Sequence, residues 1–329
     1  MLLGLLASGA LGIGLGACSS QSPAQVSKDS TDSDKPVLAR PAPPIPAKPA
    51  PEPKLSVEAE KYLEDARAEL NAKEYSAARA MIELSASSDT SNAGSATTNG
   101  APLYHSKARA LLGELERALA DKARDEGDLQ KAYAQRRLAA QVEPEPALAS
   151  QDLIEAIHIG QQIGVMPDEL APLASQAVDL QTSSQEAQRL AAALWDDAAE
   201  PARALPYYQW LHKVSPDDTS ASTRLATILL GENKIQDARR LFEQIYQAHP
   251  DHTIAGIQLA EVYARLGSHA RAATVYEELL AAHPDSSGIL MRYANYLDGR
   301  GERARAAELK ARAQASQPGI EKKKMRKLR

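Results

Sequence analysis

The side chains able to carry chemistry in these 329 residues are few: one cysteine, seven histidines and some paired acids. Cys18 is the only thiol, so it forms no disulfide within the chain. His249 and His283 each precede a proline, 34 residues apart. Turns of successive repeats lie too far apart for both to reach one metal at ~2 Å. His249 and His252 could approach each other, but no cysteine or third histidine joins them. Asp196-Asp197 and Asp217-Asp218 read as solvated or helix-capping acids. Asp152, Glu155, His158, Asp168 and Glu169 crowd the stretch 103–184 without a recognisable arrangement; an active site there is the enzymatic alternative. The chain holds no Gly-x-Ser-x-Gly elbow, no His-Glu-x-x-His pair and no Gly-Lys phosphate loop. No catalytic residue, metal or cofactor is therefore expected, and the chain reads as non-enzymatic.

The position of Cys18 gives the thiol another use. Leu2 to Ala17 is an unbroken run of apolar and small residues. At 16 residues it falls short of the ~20 that cross a bilayer core, and it suits the apolar part of a secretory signal. Leu15-Gly16-Ala17-Cys18 resembles the lipobox of bacterial lipoproteins. That resemblance implies cleavage after residue 17, palmitoylation of Cys18, and, from Ser19, an outer-membrane anchor facing the periplasm. No Lys or Arg precedes the run, where the family has a basic segment, so a start upstream is expected. Residues 18–54 follow as a lipidated N-terminus and proline-rich linker. From Ala39 to Pro53 the prolines favour polyproline II, rising ~3.1 Å per residue. A semi-rigid tether is the reading; a ligand for an SH3-like domain is the lesser alternative.

The elements that must present any surface come next. Hydrophobic residues make up 43% of the chain but aromatics only 4%, and period-two apolar runs are scarce. That mixture favours helices. A net charge of −5 gives no nucleic-acid footprint. Pro216, Pro250, Pro284 and Pro318 are spaced by 34, as are Ala204, Ala238, Ala272 and Ala306, and Ala192, Ala226, Ala260 and Ala294. Trp195, Leu229, Tyr263 and Leu297 share one large position. Tyr208, Phe242 and Tyr276 share another, where the fourth unit has Lys310. Gly267 and Gly301 mark the turn inside a unit. Small residues let two helices cross closely, large ones fill the flanks, and proline stops the second helix.

This period and pattern resemble the tetratricopeptide repeat (TPR) family. The resemblance implies an all-α solenoid of antiparallel helix pairs, with four repeats at 185–218, 219–252, 253–286 and 287–320. Upstream, residues 55–184 read as a divergent TPR-like helical region. There Tyr62, Ala66, Ala78 and Ile82, then Ala120, Gly127, Ala132 and Pro144, fall in similar phase. Gly164 and Pro167 mark a further turn whose phase has slipped. Residues 86–101, without a large apolar side chain, read as a flexible loop.

In that family the first helices of the pairs line a concave groove, through their second, fifth, ninth and twelfth positions. The fifth positions here are Arg189, Thr223, Ile257 and Met291; the ninth are Ala193, Thr227, Glu261 and Asn295. They depart from the Lys/Asn/Arg carboxylate clamp of TPR cochaperones, so a partly apolar groove for a helix or extended peptide is expected. Ile257 and Met291 are expected to lie side by side without serving the core. Residues 321–329 carry +5, leaving −10 on the rest. Such a block reads as a solvated basic tail or a contact for an acidic partner, glycan or lipid headgroup. The functional expectation is a protein-binding scaffold or assembly lipoprotein for an envelope complex, such as pilus, secretion, polysaccharide-export or peptidoglycan-hydrolase machinery. A structural spacer with an empty groove is the alternative.

Overall fold

A computed structural model describes residues 54–88 and 105–316, and among them every regular element is a helix. The fourteen helices form seven consecutive pairs among the described residues. They are α1 (Val57–Asn71) with α2 (Tyr75–Ser88), α3 (Ser106–Asp125) with α4 (Leu129–Val142), and α5 (Pro146–Gln162) with α6 (Pro167–Leu180). The period-34 stretch supplies α7 (Gln185–Asp197) with α8 (Pro201–Val214), and α9 (Thr219–Gly231) with α10 (Ile235–Ala248). It ends with α11 (Thr253–Arg265) with α12 (His269–Ala282), and α13 (Ser287–Gly299) with α14 (Arg303–Ala315). Cys18, the linker and the basic tail lie outside the described residues.

Local chemistry sets the helix ends. Ser56, Ser184 and Asp218 accept hydrogen bonds from the backbone N–H of Ala59, Ala187 and Ala221, at 3.0, 3.2 and 3.1 Å. Each satisfies a donor that has no partner inside its helix. Pro146, Pro167 and Pro201 open α5, α6 and α8, where the missing N–H costs nothing. Pro216, Pro250 and Pro284 follow the ends of α8, α10 and α12, as their period requires. Residues 86–88 depart from the expected loop, because α2 runs on through Ser88. Ser85, Ser87 and Ser88 donate to the carbonyls of Ile82, Leu84 and Ser85 at 2.6, 2.9 and 3.2 Å, tying down that last turn. The remainder of the expected loop, 89–101, is outside the described residues.

The periodic residues are the core. Ala192, Ala226, Ala260 and Ala294 are fully buried, and so are Ala204, Ala238, Ala272 and Ala306. A larger side chain at these positions would hold the two helices of a pair apart. Trp195, Leu229, Tyr263 and Leu297 are buried beside them, as are Tyr208, Phe242 and Tyr276. Lys310 takes that last position in α14; it is half-buried and its ammonium pairs with Asp298. The result is one apolar core running from Ala140 in α4 to Ala313 in α14. A second cluster joins α1, α2 and α3, and a small third one holds Ala123, Ala132 and Ile159. Ala66, Ala78, Ile82, Ala120 and Ala132 are buried as the upstream phase implies. Second helices pack against the next pair, and first helices meet directly: α1 with α3, α5 with α7, and α11 with α13. The fold is an all-α helix-pair solenoid.

Candidate protein-binding groove

The expected groove residues lie on the first helices α7, α9, α11 and α13. Their environments differ. Ala193, Thr227 and Asn295 are exposed. Arg189 is exposed, but its guanidinium donates to Asp218 at 2.8 Å. Glu261 accepts from Arg292 of the next first helix at 3.0 Å. Arg224 likewise bridges from α9 to Asp196 of α7, its Nε donating at 2.7 Å. Two of the eight expected residues thus contribute ion pairs between neighbouring repeats. Thr223 is only 7% exposed and its carbonyl accepts from the Thr227 hydroxyl at 2.8 Å, so it belongs to the floor.

Ile257 corrects an expectation. It is half-buried and packs against the apolar core, so it is not free of the core as expected. Met291 is 38% exposed, as a groove residue should be. Ile254, at the second position of α11, is 63% exposed and more available than either. The signal for it was present, since the second positions read Glu186, Ser220, Ile254 and Gly288. Together Ile254, Ile257 and Met291 make the apolar part of this face, at its C-terminal end. A cavity of about 540 Å³ adjoins it, lined by Asp217, Thr219, His249, Asp251, His252, Thr253 and Ile254. His252 there accepts the Ala255 N–H through Nδ1 at 3.2 Å, which makes it the cap of α11. Among the described residues no three His, Cys, Asp or Glu side chains are grouped to hold a metal.

The acids of 103–184 meet arginines. Asp152 is buried, and its two oxygens accept from Arg117 at 2.7 Å and from Arg136 at 3.0 Å. Burial pushes its carboxyl above the ordinary value, against the pull of both guanidiniums. Arg117 also donates to buried Glu143 at 2.9 Å, and Arg136 to Asp121 at 2.8 Å. Glu155 lies 3.2 Å from Arg136. His158 stands 3.8 Å from Glu186, and Asp168 and Glu169 sit in the first turn of α6. The arrangement ties α3, α4 and α5 together through buried ion pairs.

A solenoid of antiparallel helix pairs is the architecture of helical-repeat interaction scaffolds. A family model for the tetratricopeptide repeat matches residues 193–253, 223–287 and 257–319. Residues 193–319 of the chain thus carry tetratricopeptide repeats. Among solved structures, one of MamA is 17% identical, with a TM-score of 0.45, over 54% of this chain and 94% of that one. YrrB, described as a TPR protein with an unusual peptide-binding site, is 18% identical, with a TM-score of 0.45, over 54% and 89%. MamA from Desulfovibrio magneticus RS-1 is 14% identical, with a TM-score of 0.43, over 53% and 96%. No curated protein matches the chain.

Proposed function

We propose that this chain is a lipid-anchored, periplasm-facing scaffold of the outer membrane that recruits protein partners of an envelope complex through its first-helix face. The observation that carries the binding role is the pair Ile254 and Met291, large apolar side chains exposed on neighbouring repeats and absent from the buried core. A partner that lays an apolar helix or strand across this end would remove them from water. Ala193, Thr227 and Asn295 offer a polar margin, while Arg189 and Glu261 hold adjacent repeats in register. No catalytic step is assigned to any residue.

The binding surface is tested by Ile254→Lys combined with Met291→Lys. Each should cost about 0.5 kcal/mol of stability, as exposed substitutions do, yet capture of envelope partners should fall sharply. Circular dichroism melts and co-purification from solubilised envelopes read the two quantities. Retention of every partner by a normally melting double variant would assign binding to another face. Ile257→Lys is unsuitable as a pure surface probe, because it also strips packing from the core.

The anchor rests on Cys18 and the apolar run before it. Acyl transfer needs the thiol, and cleavage before Cys18 follows it. Cys18→Ser should leave the precursor unprocessed and free of palmitate label, while the parent floats with outer membranes. Equal labelling of both forms would remove the anchor from this account. Recovery with inner membranes would overturn only the sorting inferred from Ser19.

A further inference from the structure

The positions by which one helix pair grips the next meet no further pair at the two ends of the described solenoid, and there they hold opposite charges. Between α12 and α13 the grip is aromatic: Tyr276 stacks on Tyr293 with ring centroids 4.9 Å apart. Tyr276 stands four residues after the buried Ala272, and Tyr293 one before the buried Ala294. In the last pair the residue four after the buried Ala306 is Lys310. In the first pair the residue one before the buried Ala66 is Asp65. The frame of the first pair is secured by its left-handed turn residue, Lys73, which follows Ala66 at the distance at which Gly301 follows Ala294. A second contact repeats the relation. A Cβ on Gly256 would lie 2.9 Å from the Tyr246 ring of the preceding pair. The residues in those two positions at the ends are Tyr62 in α1 and Gln314 in α14.

The charge on the two end helices is unequal and opposite. Among its residues α1 has five acids against two bases, and α14 has four bases against one acid. Glu58, Asp65 and Glu69 lie on one flank of α1 with the half-buried Tyr62, and none of the three acids forms an ion pair among the described residues. Lys310 pairs only with Asp298 of its own helix pair. A solenoid needs polar ends to stay in solution. Solubility is indifferent to their sign, whereas one acidic end and one basic end are complementary surfaces.

We propose that the occupant of each end is a second copy of this chain, stacked head to tail, with α13 and α14 of one molecule against α1 and α2 of the next. Lys310 is then shared between its own Asp298 and the incoming Asp65, and the Gln314 amide meets Tyr62. The contact joins two different surfaces, so it gives a growing row or a ring and not a two-fold dimer. The first-helix face runs on from one molecule to the next, and the stacking is independent of what that face binds.

The test uses the full chain in mild detergent, so that its apolar N-terminal run does not itself draw molecules together. Ordinary and nitrogen-15 protein are mixed in equal amounts and treated with a zero-length carbodiimide. Mass spectrometry should find Lys310 joined to Asp65 in mixed-isotope pairs. The links should fade at about 0.5 M salt, where exposed charges are screened within a few ångströms. Sedimentation should show species that grow past the dimer as concentration rises. Asp65→Lys alone and Lys310→Glu alone should each weaken association about tenfold or more, because like charges then face each other. An equimolar mixture of the two variants should recover it, since every head then meets a tail of opposite sign. Circular dichroism reports whether each variant is folded, and the isotope links on the unaltered chain stand without them. A monomer at every concentration, a dimer that grows no further, or Lys310–Asp65 links confined to single molecules would overturn the proposal. Variants that associate like the parent, or a mixture that stays apart, would overturn it as well.

Discussion

Between the helices of each pair one residue takes up the left-handed backbone conformation, and its identity varies. It is Gly127, Gly164, Gly267 and Gly301 in four turns but Lys73, Ala199 and Asn233 in the others, with φ near +60°. For an L side chain that conformation costs ~1–2 kcal/mol. Glycine removes the cost, though it loses more entropy on folding. Ala199→Gly should therefore stabilise the chain by about 0.5–1 kcal/mol, read as a shift in the urea midpoint at unchanged slope. Gly267→Ala should do the reverse: an added Cβ there would meet nothing within 4 Å, so only the backbone penalty remains. A destabilising Ala199→Gly would show that the turn is not limited by its backbone. Gly267 and Gly301 were legible in the sequence as turn residues. Ala199 was not, since alanine does not announce this conformation; Asn233, of a type that tolerates it, gave a weak signal, and the period places both opposite Gly267 and Gly301.

At the scale of elements, the join between α3, α4 and α5 differs from the alanine-lined crossings downstream. Arg117 and Arg136 meet Asp152 and Glu143 where apolar side chains stand elsewhere, and Gly113 leaves room for Glu143. A Cβ on Gly113 would lie 2.8 Å from a Glu143 carboxylate oxygen. Breaking a buried pair on one side leaves charge without a partner. Asp152→Ala should cost about 3–5 kcal/mol in chemical denaturation, and Asp152→Asn, which keeps one acceptor, less. A loss within ~0.5 kcal/mol, typical of a surface site, would show the network to be well hydrated. These acids looked like candidates for chemistry in the sequence because their arginine partners lie 16 to 35 residues away. Spacing along one helix cannot report a pairing across three.

Across the whole molecule, the tyrosines near the C-terminal end link stability to alkali. Tyr276 stacks on Tyr293 with ring centroids 4.9 Å apart. Burial, against the pull of Arg305 and helped by the Glu277 carboxylate, pushes the Tyr293 phenol up to about 12. Burial and the Glu278 carboxylate do the same for Tyr246, also to about 12. The folded state holds these protons more tightly than the unfolded chain, whose tyrosines titrate near ~10. Their contribution is thus complete below pH ~10 and is lost as pH rises through about 12. Phenolate absorbance of these two groups should rise together with loss of helical circular dichroism in that interval. Titration of every tyrosine near 10, with the helices intact, would contradict the burial that the structure assigns them.

Repeat period, helix-pair architecture and the alanine and aromatic core positions could all be read from the sequence, because a short-range pattern sets each of them. A helix buries one stripe, an interhelical crossing admits only small residues, and proline ends a helix wherever it stands. The helix that carries each groove residue followed from the same period. Its availability did not. Arg189 and Glu261 are engaged, Thr223 is covered, Ile257 is shared with the core, and Ile254 is left open. Those outcomes depend on which side chains the next repeat brings alongside, and the stacking of repeats decides that through contacts about thirty residues apart in the chain. Exposure is a property of the neighbours, and only the tertiary structure contains them.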